Sequence, residues 1–119
     1  MTMMIKSQTV DDVLVVSLAG DLDSSTAPEV QDQLHTLIEP GGRVLIDLSD
    51  VPYMSSAGLR TMLLVYRQSE SSSCRIGLTG VSLDLRHMMS AVGFLDFFAL
   101  CDTVAAGVRF LDTPLRGTA

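Results

Sequence analysis

Tyr53-Met54-Ser55-Ser56-Ala57-Gly58-Leu59-Arg60 is the stretch on which the reading of this chain turns. It follows the most strand-like segment, Arg43-Val44-Leu45-Ile46-Asp47-Leu48, across a short turn from Ser49 to Pro52. It opens an apolar segment of helical period from Leu59 to Tyr66. Two serines therefore stand where a strand hands over to a helix. The first N–H groups of a helix lack intrahelical partners, and the aligned peptide dipoles leave about +0.5 charge there. A phosphate on a serine at that point meets free donors and a favourable field. Ser55, Ser56, Ala57 and Gly58 are small and leave the backbone approachable. Serine is also a preferred N-cap, so the local sequence alone favours an ordinary helix start.

Outward from this stretch, strands and helices alternate. Met3 to Thr9 reads as a first strand, and Asp11-Asp12 turns the chain into the β-rich run Val13 to Ala19. Gly20 ends that run, and Asp21-Leu22-Asp23-Ser24-Ser25 is a polar loop with two carboxylates at alternate positions. Thr26 stands three residues before Glu29, the capping-box spacing, with Pro28 in the first turn. Val30, Leu34, Leu37 and Ile38 form one apolar stripe, which Pro40-Gly41-Gly42 ends. Val44 to Ile46 is apolar on both sides, as in a strand covered on both faces. After the serines, Leu59, Met62, Leu63 and Tyr66 form the stripe expected to face the sheet. Arg60, Leu64 and Arg67 share another side, where Leu64 is a candidate contact point. Ser69 to Ser73 reads as a polar loop.

Cys74 to Thr79 is the next strand, and Gly80 turns. Ser82 is placed to cap a helix carrying Leu85, Met88, Met89 and Val92, with Gly93 at its C-terminal turn and Phe94 packing after it. Phe97 to Cys101 is a short last strand. Val104 to Leu111 is a terminal helix starting at Asp102 or Thr103. The order β-β-α-β-α-β-α-β-α predicts an α/β sandwich with a mixed sheet of about five strands and about four helices. Residues 3–113 form one domain, and 114–119 a flexible C-terminal tail.

Composition narrows the function. The chain has 119 residues, 47% hydrophobic and 18% charged, which is globular rather than disordered. Its net charge of −6 and scattered arginines, with Lys6 the lone lysine, argue against a nucleic-acid surface. No run approaches the roughly 18 apolar residues of a membrane span, and Met1 to Lys6 is too short and polar for a signal peptide. The expected location is cytoplasmic. Cys74 and Cys101 each sit in apolar context and read as buried thiols. No Cys-x-x-Cys or His-x-x-x-His pair supports a metal site, and no glycine-rich phosphate loop supports a nucleotide cofactor. His35 and His87 fall on helices away from the serines, and there is no Gly-x-Ser-x-Gly elbow, so hydrolysis is not expected.

Two motifs then carry a resemblance. Gly20-Asp21-Leu22-Asp23 before a helix, and Asp47-Leu48-Ser49-Asp50-Val51-Pro52-Tyr53-Met54-Ser55-Ser56-Ala57-Gly58-Leu59, resemble the STAS domains of anti-sigma factor antagonists. Ser90-Ala91-Val92-Gly93-Phe94-Leu95-Asp96 resembles that family's later helix end, and the likeness runs from about Met3 to Leu111. The resemblance implies a protein that binds an anti-sigma factor and so releases a sigma factor. The anti-sigma factor is also a serine kinase, and phosphorylation of one serine at the start of the second helix abolishes binding until a phosphatase restores it. Position by position, the acceptor falls on Ser56 and the motif glycine on Gly58. Ala57 replaces a small hydroxyl residue, and Ser55 replaces an acidic one, which makes Ser55 a rival acceptor. Asp21 and Asp23 keep the acidic loop. The implied partner surface comprises Asp21, Asp23, Ser55, Ser56, Ala57, Gly58, Arg60 and Leu64, with no cofactor. The rivals are a STAS module binding a small ligand, a nucleotide or a non-sigma signalling partner; an enzyme; and a piece of a membrane transporter.

Overall fold

The computed structural model describes residues 3–93 and 97–112. The expected packing of Phe94, the Phe94-Leu95-Asp96 end of the third motif and the tail from Thr113 lie outside the described residues. Among the described residues the chain forms β1 (Met4–Val10), β2 (Val13–Ala19), α1 (Ala27–Leu37), β3 (Arg43–Asp50), α2 (Ser56–Ser71), β4 (Arg75–Thr79), α3 (Leu83–Ala91), β5 (Ala99–Cys101) and α4 (Val104–Asp112). The strands lie in sequence order, β1-β2-β3-β4-β5. β1 pairs antiparallel with β2, and every later pair is parallel. This is the mixed five-stranded α/β sandwich that the element order predicts.

Local chemistry explains the turns. Asp11 and Asp12 both take positive φ (48° and 65°), the requirement of a two-residue hairpin whose twist matches its strands. Aspartate tolerates that region better than most residues. Because the parallel strands advance in one direction, right-handed crossovers place α1, α2 and α3 on one face. Val16, Leu18, Val44, Ile46, Leu48 and Leu78 meet them there in the main core. α4 closes the opposite face, where Val108 and Leu111 pack on Val13, Val15 and Leu45. Val44, Leu45 and Ile46 are all buried because β3 lies between both helical layers.

Several local expectations are corrected. Thr26 does not close a capping box with Glu29; its side chain makes no cap bond to α1. Its hydroxyl turns back, donating to the Asp21 carbonyl (2.7 Å) and accepting from the Asp23 N–H (3.0 Å). The fully buried positions of α2 are Gly58, Thr61, Met62, Val65 and Ser69; of the expected stripe, Met62 is buried, Leu59 and Tyr66 pack half-buried against the main core, and Leu63 does not join it. The helix packs against α1, and small residues permit that approach. Ser69 buries without penalty because its Oγ donates to the Tyr66 carbonyl at 2.7 Å. α2 starts at Ser56 and runs to Ser71, so most of the expected serine loop is helix, and the chain turns at Ser73 (φ 55°). β5 begins at Ala99 rather than Phe97; Phe97 is exposed and stacks on Tyr66 at 5.0 Å. The cap at Ser82 holds, accepting from Leu85 N–H at 3.2 Å, and Gly93 takes the positive φ (77°) of a helix C-terminal turn. Val92, grouped with the apolar stripe of that helix, is exposed.

Leu45 is fully buried on the face that α4 covers. Leu45→Ala is expected to lower unfolding free energy by about 3 kcal/mol in denaturant titration. Leu83→Ala, at a side chain 68% exposed, is expected to change it by less than about 0.5 kcal/mol.

Candidate functional site

Two loops at the end of the parallel strands are stitched together. Gly20 N–H donates to the Asp50 carbonyl (3.0 Å), Leu22 N–H to Tyr53 (2.9 Å), and Ser55 N–H to Leu22 (2.9 Å). Leu22 and Met54 form an isolated parallel bridge, and both are fully buried. The acidic loop and the serine loop therefore form one surface. Sequence reasoning brought them near each other but missed the bridge. The signal was present: Leu22 between two aspartates, and Met54 between Tyr53 and Ser55, are each a short apolar–polar alternation, the mark of a strand.

Gly58 sets how closely α2 approaches this pair. A Cβ there would lie 2.5 Å from the Leu22 carbonyl oxygen and 2.7 Å from Met54 Cγ. Gly58 is thus required by contact rather than by a left-handed backbone, and its buried position takes it off the accessible partner surface.

The two serines differ in what their hydroxyls can do. Ser55 is the N-cap residue with extended backbone (φ −86°, ψ −179°), and its carbonyl accepts the first helical bond, from Leu59 N–H. Its side chain makes no cap bond, and its Oγ is buried without a hydrogen-bond partner among the described residues. Ser56 is the first helical residue and is exposed. The first turn of α2 carries no acidic residue, so neither a carboxylate nor a side-chain cap offsets the positive helix end. Ala57 is half-buried, Arg60 exposed and Leu64 half-buried. Arg60 and Ala57 line an open groove of about 320 Å³ with Ala27, Pro28 and Gln31 of α1.

Asp21 and Asp23 are both half-buried, and their roles diverge. Asp23 Oδ1 accepts from Ser25 N–H (2.9 Å), Ser25 Oγ (2.7 Å) and Thr26 N–H (3.3 Å). The Asp23 carbonyl accepts from Ala27 N–H at 2.8 Å. Asp23, not Thr26, is the residue that caps the turn leading into α1, because Thr26 already has helical ψ and its hydroxyl is spent on the loop. The Ser25 hydroxyl, then the Ser25 N–H, with a lesser share from Thr26, hold the Asp23 carboxyl below its ordinary value of 3.8 against the opposing effect of burial. Asp21 gives its carbonyl to Thr26, and no bond of its carboxylate is recorded among the described residues.

Among the described residues no histidine side chain is hydrogen-bonded to a serine or a cysteine. His35 lies in the last turn of α1, and His87 is an exposed residue of α3. Burial pushes the Cys74 thiol up, and burial with the charge of Asp102 does the same for Cys101, the opposite of an activated thiolate. No group of three metal-ligating side chains occurs among the described residues. None of the described helices is long and apolar enough to cross a membrane.

The sequence pattern of the STAS domain matches residues 4–107. BtrV of Bordetella bronchiseptica, provisionally named an anti-sigma factor antagonist, is 30% identical over 107 residues, which is 89% of this chain and 92% of BtrV. The crystal structure of an anti-sigma factor antagonist from Mycobacterium paratuberculosis superposes with a TM-score of 0.83 at 22% identity, covering 93% of this chain and 95% of that one. The anti-sigma factor antagonist SpoIIAA of Bacillus is known in unphosphorylated and phosphorylated forms. They superpose with TM-scores of 0.67 and 0.68 at 20% and 19% identity, covering 86% and 90% of this chain and 91% and 99% of theirs. At these identities the structural likenesses bear on the fold.

Gly58→Ala is expected to break the Ser55–Leu22 bond and to cost about 2 kcal/mol, read by denaturant unfolding and by faster amide exchange at Ser55. Asp23→Asn keeps an acceptor and removes the charge. A depressed carboxyl contributes stability above its unfolded value and loses it as pH falls through the folded one. The wild type is therefore expected to melt higher than Asp23→Asn at neutral pH, with the gap closing once the pH drops below the ordinary 3.8. Thermal melts across that range check it.

Proposed function

This chain belongs to the STAS domain family, among the anti-sigma factor antagonists, and from that premise we propose that its own partner is an anti-sigma factor with serine kinase activity. Binding that partner frees a sigma factor for transcription. Phosphorylation of Ser56 ends the binding, and a phosphoserine phosphatase restores it. The protein acts in the cytoplasm as a regulatory binding module rather than as an enzyme.

The observation that carries this reading is the contrast between the two serines. The Ser56 hydroxyl is on an exposed residue at the positive start of α2, whereas the Ser55 hydroxyl is buried. A kinase can reach the first without moving backbone, while reaching the second requires opening the helix start. In the transfer, Ser56 Oγ forms a bond to the γ-phosphorus of ATP, the bond from that phosphorus to the bridging oxygen breaks, ADP leaves, and the hydroxyl proton passes to a base of the kinase. The product adds about −1.5 to −2 charge. Unpaired N–H groups and the dipole of α2 accommodate it, so the fold need not change.

The partner does not gain the same compensation. The added charge joins a surface already carrying Asp21 and Asp23, beside the α1–α2 groove. Like charges desolvated at an interface cost several kcal/mol, and about 4 kcal/mol is roughly a thousandfold in affinity. The surface presented to the partner comprises Asp21, Ser56, Ala57, Arg60 and Leu64, with Gly58, Ser55 and Asp23 holding its shape from beneath.

Phosphopeptide mapping after reaction with the cognate kinase and ATP is expected to find phosphate on Ser56; phosphate on Ser55 alone reverses the assignment. Ser56→Asp is expected to weaken partner binding by calorimetry, less than phosphate does because its charge is smaller. Ser56→Ala is expected to bind and escape regulation. Equal affinity of the wild type, Ser56→Asp and the phosphoprotein would exclude the switch.

A further inference from the structure

Arg60 lies four residues beyond Ser56 on α2, and both are exposed. Helix residues at that spacing sit one above the other, with about 5–6 Å between their Cβ atoms. Each Cα–Cβ bond in a helix tilts toward the N-terminus, so the long side chain of Arg60 starts out in the direction of Ser56. The order is also the favourable one, with the anion at the helix start and the cation one turn later. Among the described residues Arg60 makes no ion pair. Asp32 of α1 lines the same groove, but the two are beyond salt-bridge distance. In the unphosphorylated protein Arg60 is thus an uncommitted cation on the groove beside the acceptor.

The geometry points to Arg60 as the internal counter-ion of phosphorylated Ser56. This inference rests on Ser56 being the acceptor. Its consequence is a switch that acts twice: phosphorylation brings an anion to the partner surface and withdraws a cation from the groove. The guanidinium suits the role, since it offers several donors in one plane to phosphate oxygens and keeps its charge at every physiological pH. A phosphatase acting on Ser56 must then break an ion pair as well as a phosphoester.

Phosphoserine placed at position 56 during translation tests this on the intact chain without any kinase. The probe is the second ionisation of that phosphate, near 6 in the absence of neighbours, followed by phosphorus NMR as pH is varied. The dipole of α2 lowers it in every variant. Arg60→Gln is expected to raise it by about 0.3 unit relative to the wild-type background. Arg60→Lys should recover part of that difference, and Arg67→Gln, farther along the same helix, should leave it unchanged. The difference should shrink in high salt. Circular dichroism establishes that each variant is folded. Superimposable titrations of the wild type and Arg60→Gln would overturn the counter-ion role. Undiminished binding of the anti-sigma partner to the phosphoprotein would instead overturn the functional reading, whatever the titration shows.

Discussion

The close contact of Gly58 with Leu22 and Met54 is the constraint on which the working surface depends. Strands β2 and β3 would end in separate loops without it. The Leu22–Met54 bridge extends their pairing by one step, and the absent side chain at Gly58 lets the first turn of α2 close over that step. The acidic loop, the exposed serine and the groove between α1 and α2 then become parts of one rigid patch. A site on loops gains precision only when the loops are held in this way. Here backbone hydrogen bonds and buried apolar side chains join the two loops, and the Asp23 and Thr26 side chains brace the acidic one.

Under the proposed reading, that division of labour lets one phosphate control binding without refolding the protein. A helix start with no acid and no side-chain cap suits an added negative charge, so in that reading the energy of modification is felt at the surface rather than in the core. Asp21 and Asp23 differ for the same reason. Asp23 spends its carboxylate on three donors of its own loop, whereas the carboxylate of Asp21 has no recorded commitment among the described residues. Of the two acids of one motif, Asp23 thus serves shape, and the proposed recognition role falls to Asp21.

Much of this was legible in the sequence. Element order, the double-sided burial of Val44 to Ile46, the hairpin at Asp11-Asp12 and the cap at Ser82 follow from period and turn chemistry. The register of the motif placed the candidate acceptor on Ser56. What escaped was tertiary in origin. The α2 stripe was read by hydrophobicity, yet the small or polar residues Gly58, Thr61 and Ser69 are buried deeper than Leu59 and Leu63, with Gly58 pressed on Leu22 and Met54. The capping box at Thr26 and Glu29 matched in spacing, but the Thr26 hydroxyl was claimed by the Asp21 carbonyl. Neither competition is visible along a single segment, because each winning partner comes from elsewhere in the fold or from the preceding loop.

The position of α4 has a consequence for how the chain comes into being. Every strand pairs with its sequence neighbour, so the sheet can assemble in the order in which the ribosome delivers it. Among the described residues, however, the apolar face of Val13, Val15 and Leu45 is covered by Val108 and Leu111 of α4, with Val104 and Val10 packed at its side. Until those residues emerge, a nearly complete sheet carries an open greasy side. Nascent chains that have not yet reached α4 are therefore the form in which this apolar face stays open to non-native contacts.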